Sequence, residues 1–138
     1  MIQITAHMRI MVAVEPVDFR KGIDGLCAVC RQELDMDPFS GTLFVFVNKY
    51  RQALRVLVYD GQGFWLCHKR LSRGRFAWNF HPAQGRTCAL LARQLQLLLW
   101  NADPLKIFPW EDFRPIEEKN VDPEKKYWPQ AKSFAILR

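Results

Sequence analysis

Between Lys49 and Arg86 the chain is almost without acid. Asp60 is the one carboxylate among eight Lys or Arg (Lys49, Arg51, Arg55, Lys69, Arg70, Arg73, Arg75 and Arg86), a local net charge of +7. The 48 residues before this segment carry −2 and the 52 after it +1, so the chain's net +6 is concentrated in its middle third. A stretch this poor in acid cannot neutralise itself locally and suits a surface that meets a polyanion.

Other absences narrow the field further. No apolar run approaches the ~20 residues a membrane helix needs, and the longest candidate, Leu95 to Trp100, is interrupted by Gln96. The opening residues MIQITAHMRI lack both a charged n-region and a continuous apolar stretch, which argues against a secretory signal. A cytoplasmic protein without a membrane partner is expected. No HxxEH, GxSxG, Walker A or GxGxxG pattern occurs, and His7, His68 and His81 have no acid or nucleophile beside them in sequence. Neither an enzyme nor a cofactor is expected. Asp60 with Asp18 or Asp24 could form a nuclease metal site, but turn formation and helix capping explain those carboxylates without a metal.

Cysteine is scarce and badly spaced for a metal. Of the four, at 27, 30, 67 and 88, only Cys27 and Cys30 are close, and no second closely spaced ligand pair exists. Both fall on the stripe Ile23, Leu26, Cys27, Cys30, Leu34, whose spacing of three and four marks the inward face of an amphipathic helix. Buried thiols are expected there.

What is present predicts an α+β fold. Arg9 to Val14 reads as a strand stopped by Glu15-Pro16, and Asp18 as the N-cap of a helix running to about Leu34. Gly22 and Gly25 weaken that helix's start and suggest close packing of backbone or of something bound. Thr42 to Val47 is a β-branched and aromatic run suited to a strand buried on both faces. Leu54 to Tyr59 and Phe64 to Lys69, joined by Asp60-Gly61-Gln62-Gly63, form a hairpin. Leu71 to Trp78 is expected to bend into one more short strand, and Leu90 to about Asn101 to be helical until Asp103-Pro104. The expected domain, residues 1–104, is a mostly antiparallel sheet of four or five strands with both helices on one face. From Pro104 on, five of the eight prolines fall among mixed charges and scattered aromatics, so 105–138 reads as an extended arm.

Two places invite an anion. Arg20 and Lys21 stand at a helix start, where free N–H groups favour phosphate; the alternative is a capped helix with two solvated bases. The second is the hairpin and its flanks, where seven aromatics (Tyr50, Tyr59, Phe64, Trp65, Phe76, Trp78 and Phe80) interleave with the cations. A strand face carrying Arg55, Tyr59, Trp65 and Lys69 would set stacking rings beside charges. The competing view makes the aromatics sheet core and the bases a soluble rim. The candidate nucleic-acid contacts are Arg20, Lys21, Lys49, Arg51, Arg55, Tyr59, Trp65, Lys69, Arg70, Arg73 and Arg75.

Four motifs occur in order: Asp18-Phe19-Arg20-Lys21-Gly22-Ile23-Asp24-Gly25-Leu26, Asp37-Pro38-Phe39-Ser40-Gly41-Thr42-Leu43-Phe44-Val45-Phe46, Val58-Tyr59-Asp60-Gly61-Gln62-Gly63-Phe64, and Lys69-Arg70-Leu71 followed by Gly74-Arg75-Phe76 and Trp78. Over about residues 9 to 104 the chain resembles the small accessory protein, called TnpB or Orf2-like, of the IS-sixty-six family of bacterial insertion sequences. Phe19 stands where that family's motif commonly has Met. The resemblance implies a role in transposition, a form of DNA recombination by a mobile genetic element, beside a separate larger transposase, and it supplies no catalytic residues. The expected function is a non-enzymatic accessory factor that binds DNA, with transposon ends, the transposase and the element's other accessory proteins as partners. The alternative is a protein-interaction module that docks on the transposase.

Overall fold

The structure, a computed structural model, describes residues 4–104. The arm expected over 105–138 lies outside the described residues. The elements run β1 (Ile10–Ala13), α1 (Ile23–Gln32), β2 (Leu43–Val47), β3 (Ala53–Tyr59), β4 (Phe64–Arg70), β5 (Thr87–Leu90) and α2 (Ala92–Leu99), with short 3₁₀ turns at Pro38–Ser40 and Pro82–Gln84. One five-stranded sheet has the order β4-β3-β2-β1-β5. β1 and β2 are parallel, joined by the crossover that contains α1, and the remaining pairs are antiparallel. The α+β class and the mostly antiparallel sheet follow the pattern expected from the sequence.

The helices do not share a face. Leu43, Val45 and Val47 of β2 point with Ile10, Val12, Leu54, Val56 and Val58 into a core closed by Leu95 and Leu98 of α2. Phe44 and Phe46 point the other way, with Ala13 and Leu57, onto Leu26, Cys27, Val29 and Cys30 of α1. The reason lies in β2, whose five residues are all buried: two apolar faces need two covers. Each fully buried Phe contributes about 1.5–3 kcal/mol relative to exposure, so neither face can be left open.

Two further expectations are corrected. Residues 71–78 form no strand. Phe76, Trp78 and Phe80 are buried at alternate positions on the α2 side of the sheet, and the Trp78 indole N–H donates to the Val14 carbonyl at 2.8 Å. Their period of two marks an extended segment, but one laid on the sheet rather than paired within it. The fifth strand is instead Thr87–Leu90, paired with β1. Asp18 is also not the N-cap of α1. Gly22 holds that position, and the Asp18 carboxylate closes a local turn by accepting the Arg20 backbone N–H at 2.9 Å.

Candidate nucleic-acid interface

Strand direction decides where the cations go. Because β1 and β2 are parallel and their other neighbours antiparallel, one end of the sheet collects the exits of β1, β2 and β4 and the entries of β3 and β5. Three loops meet there. The chain leaving β1 is tied to β2 by Val17 N–H donating to the Val47 carbonyl at 2.9 Å. The β2–β3 turn is tied to the segment after β4 by Leu71 N–H to Gln52 O at 2.9 Å and Phe76 N–H to Arg51 O at 2.7 Å. Lys49, Arg51, Arg73 and Arg75 stand on these loops and Arg70 ends β4 beside them, all exposed. Among the described residues, none of the five has a carboxylate partner.

The turn that carries Lys49, Tyr50 and Arg51 is built for rigidity. The Asn48 side-chain oxygen accepts the backbone N–H groups of Gln52 and Ala53 at 3.0 and 3.2 Å, and Arg51 N–H donates to Asn48 O at 3.0 Å. Arg51 itself takes a left-handed conformation, φ 59°, to close it. At the tip Tyr50 is 60% exposed, with the Lys49 ammonium 5.7 Å from its ring centre. Between this tip and the β1 exit lies an open cleft of about 810 Å³, lined by Pro16, Val17, Asp18, Phe19, Arg20, Asn48, Lys49 and Tyr50.

Arg20 and Lys21 differ in their freedom. The Arg20 guanidinium pairs with Asp18 at 2.7 Å, and that hydrogen bond holds the Asp18 carboxyl down at about 2. Lys21 is exposed, its stem beside Gly25. One of the two is committed and the other available.

The anticipated face of Arg55, Tyr59, Trp65 and Lys69 does not exist. In the β3–β4 register Arg55 is opposite His68 and Tyr59 opposite Phe64, whereas Leu54 is opposite Lys69 and Val58 opposite Trp65. Opposed residues share a face, so Trp65 and Lys69 lie on the α2 side and Arg55 and Tyr59 on the α1 side. Arg55 is a staple. Its guanidinium donates to the Lys21 carbonyl at 2.9 Å and to His68 Nδ1 at 3.1 Å, and lies 4.6 Å from the Phe19 ring centre. Lys69 donates to the Leu99 carbonyl at the end of α2, the position where a cation complements the helix dipole. Tyr59 packs in a ring cluster with Phe39 and Phe64, centroids 4.9 and 5.0 Å away, and donates to Gly61 O. Both Tyr59 and Trp65 sit at the far end of the hairpin, about 20 Å along β3 from the basic loops.

Tyr50 is the ring that stands among the cations, and it was not among the candidate contacts. Its signal in the sequence was position: it lies in Asn48-Lys49-Tyr50-Arg51, outside both flanking apolar alternations, and a ring there has no strand face to enter.

Other chemistry finds little support. Asp60 accepts backbone N–H groups from Gln62 and Gly63 and the Trp65 indole N–H, each at 2.8 Å, and these bonds lower its pKa. It is a turn residue. Among the described residues no three His, Cys, Asp or Glu cluster to hold a metal. Cys27 and Cys30 are buried free thiols, and burial pushes Cys30 up to about 12. No helix of the described residues is long and apolar enough to cross a membrane.

A family model described as IS66 Orf2 like protein matches residues 8–108. The chain belongs to the IS66 Orf2-like family. It is 38% identical over 103 residues to the uncharacterized protein y4jC of Sinorhizobium fredii, covering 75% of this chain and 86% of that protein. A second S. fredii protein, the uncharacterized y4hO, is 36% identical over 111 residues, 80% of this chain and 93% of that protein. No solved structure matches the chain. Membership of the IS66 Orf2-like family implies an accessory role in insertion-sequence transposition.

Proposed function

We propose that this protein is a non-enzymatic transposition accessory that binds DNA through the basic end of its sheet and works beside the transposase. The observation that carries this is the meeting of Lys49, Arg51, Arg73 and Arg75, on loops hydrogen-bonded to one another, with Arg70 at the end of β4, and no described carboxylate to neutralise them. Loop cations fixed by a strand scaffold position a phosphate backbone without reading its sequence. Tyr50 offers an exposed ring at that end on which a base or sugar can pack.

With Lys21 added, six cations face the proposed ligand, and log affinity for duplex DNA falls with log salt at a slope near ~−5. Fluorescence anisotropy on a labelled duplex, titrated at several salt concentrations, measures it. Replacing Arg73 and Arg75 by Ala reduces the slope by about two, uniformly across DNA sequences. Absence of binding at low salt, or binding indifferent to salt, refutes the reading. Retained co-purification with the transposase in that case would move the role to docking on protein.

A further inference from the structure

β4 is an edge strand with an open side. Its seven residues, Phe64–Arg70, are all exposed or half-buried, and among the described residues no strand pairs with its outer edge. The inner ladder reveals which groups point outward. Leu71 N–H bonds Gln52 O at one end of the β3–β4 ladder and Asp60 N–H bonds Gly63 O at the other. Since hydrogen-bonded pairs alternate along an antiparallel ladder, Trp65, Cys67 and Lys69 turn their backbone groups toward β3. Phe64, Leu66, His68 and Arg70 turn theirs toward open space.

We propose that β4 pairs antiparallel with β4 of a second copy of this chain, about a two-fold axis through Cys67. Parity and overlap select this register. Outward-facing residues must oppose outward-facing residues, and full overlap of the seven then sets Phe64 opposite the second copy's Arg70 and Leu66 opposite its His68. Every outward N–H and C=O of both strands finds a partner. Cys67 falls opposite its own copy in a non-hydrogen-bonded pair, where Cα atoms approach to about 4.5 Å.

The charges agree with a second copy as occupant. The strand is basic at one end only, at Lys69 and Arg70, and aromatic at the other, at Phe64 and Trp65. The two-fold lays Lys69 against the second copy's Trp65, cation beside ring twice over, while Arg70, last in the strand, stays at the basic end of each copy. No like charges oppose each other. Antiparallel pairing also sends the two sets of basic loops to opposite ends of the assembly, where they repel least. A parallel pairing would bring them together.

Sedimentation velocity of the full chain reports a dimer. Mild copper–phenanthroline oxidation yields a covalent dimer that survives Cys88→Ser and disappears in Cys67→Ser, because Cα separation in the proposed pair suits a disulfide. Trp65 is exposed, so its charge variants can be compared on a common fold, checked by circular dichroism. Trp65→Lys sets two like-charge pairs in the register and weakens the dimer about tenfold, whereas Trp65→Glu, facing Lys69, keeps it. A monomer at a concentration of about 100 μM overturns the proposal, as does covalent capture through Cys88. A dimer equally strong in both Trp65 variants overturns it too, and a monomer whose β4 amides are protected from exchange assigns the edge to residues beyond Pro104.

Discussion

Replacing Arg55 by Met should cost stability and leave DNA affinity alone, which separates a cation that holds the fold from those proposed to hold phosphate. Arg55 is one of the eight bases of the middle third, yet its guanidinium is engaged three ways: with the Lys21 carbonyl, with His68 Nδ1 and with the Phe19 ring. Each hydrogen bond, half-exposed and replaceable by water, contributes about 0.5–1 kcal/mol, and the ring contact about 0.5 kcal/mol. Met keeps the aliphatic stem against Phe19 and removes the donors, so the loss is about 2 kcal/mol. For a domain of this size that lowers the melting temperature by about 10 °C, and in urea it moves the midpoint by about 1 M with little change in the m value. Tryptophan fluorescence follows the unfolding, and anisotropy on duplex DNA follows the salt slope. The expected result is a shifted midpoint with the slope unchanged. An unshifted midpoint with a slope reduced by about one would place Arg55 on the DNA and refute the assignment of roles.

Partial desolvation and the nearby Arg55 and Arg70 charges lower the His68 pKa below 6.5. The unfolded chain therefore takes up the proton first as pH falls, so this contribution to stability is present above about pH 6.5 and lost below it; His68→Gln should flatten the dependence of melting temperature between pH 7.5 and 5.5. Gly25→Ala should destabilise by about 1 kcal/mol despite alanine's better helix propensity, because the new methyl would lie 2.8 Å from Lys21 Cβ. Gly22→Ala meets nothing within 4 Å and should change urea stability by less than about 0.5 kcal/mol; the reverse order would overturn the packing argument.

Elements with a strong period were legible in the sequence. The β2 run is unbroken because both its faces are covered, and the hairpin announces itself through its Asp-Gly turn. The thiols at 27 and 30 read as buried from their helical stripe and are buried. Thr87–Leu90 was missed because four residues give too short a window for any period, and its partner, β1, lies far away in sequence. The placement of both helices on one face failed because periodicity tells which side of a helix is apolar but not which side of a sheet it meets.

The candidate site was legible as composition and illegible as geometry. Cations and rings are plain in the letters, but a hairpin's register depends on how many residues its turn consumes, and that count sends Trp65 and Lys69 to the face opposite Arg55 and Tyr59. Likewise Arg55, Arg73 and Arg75 are indistinguishable as letters. Only the carbonyl and ring awaiting one of them, and the absence of either beside the others among the described residues, divide them into a fastener and two exposed charges.

β1 is synthesised before both of its neighbours in the sheet, β2 and β5, and this carries a cost during biosynthesis. β1 can dock beside β2 soon after the crossover emerges, but its other flank stays naked until Thr87–Leu90 has been synthesised, some seconds later at typical elongation rates. Nascent chains therefore pass through an interval with an apolar ribbon open to misannealing, and any C-terminal truncation reaching β5 would make that interval permanent.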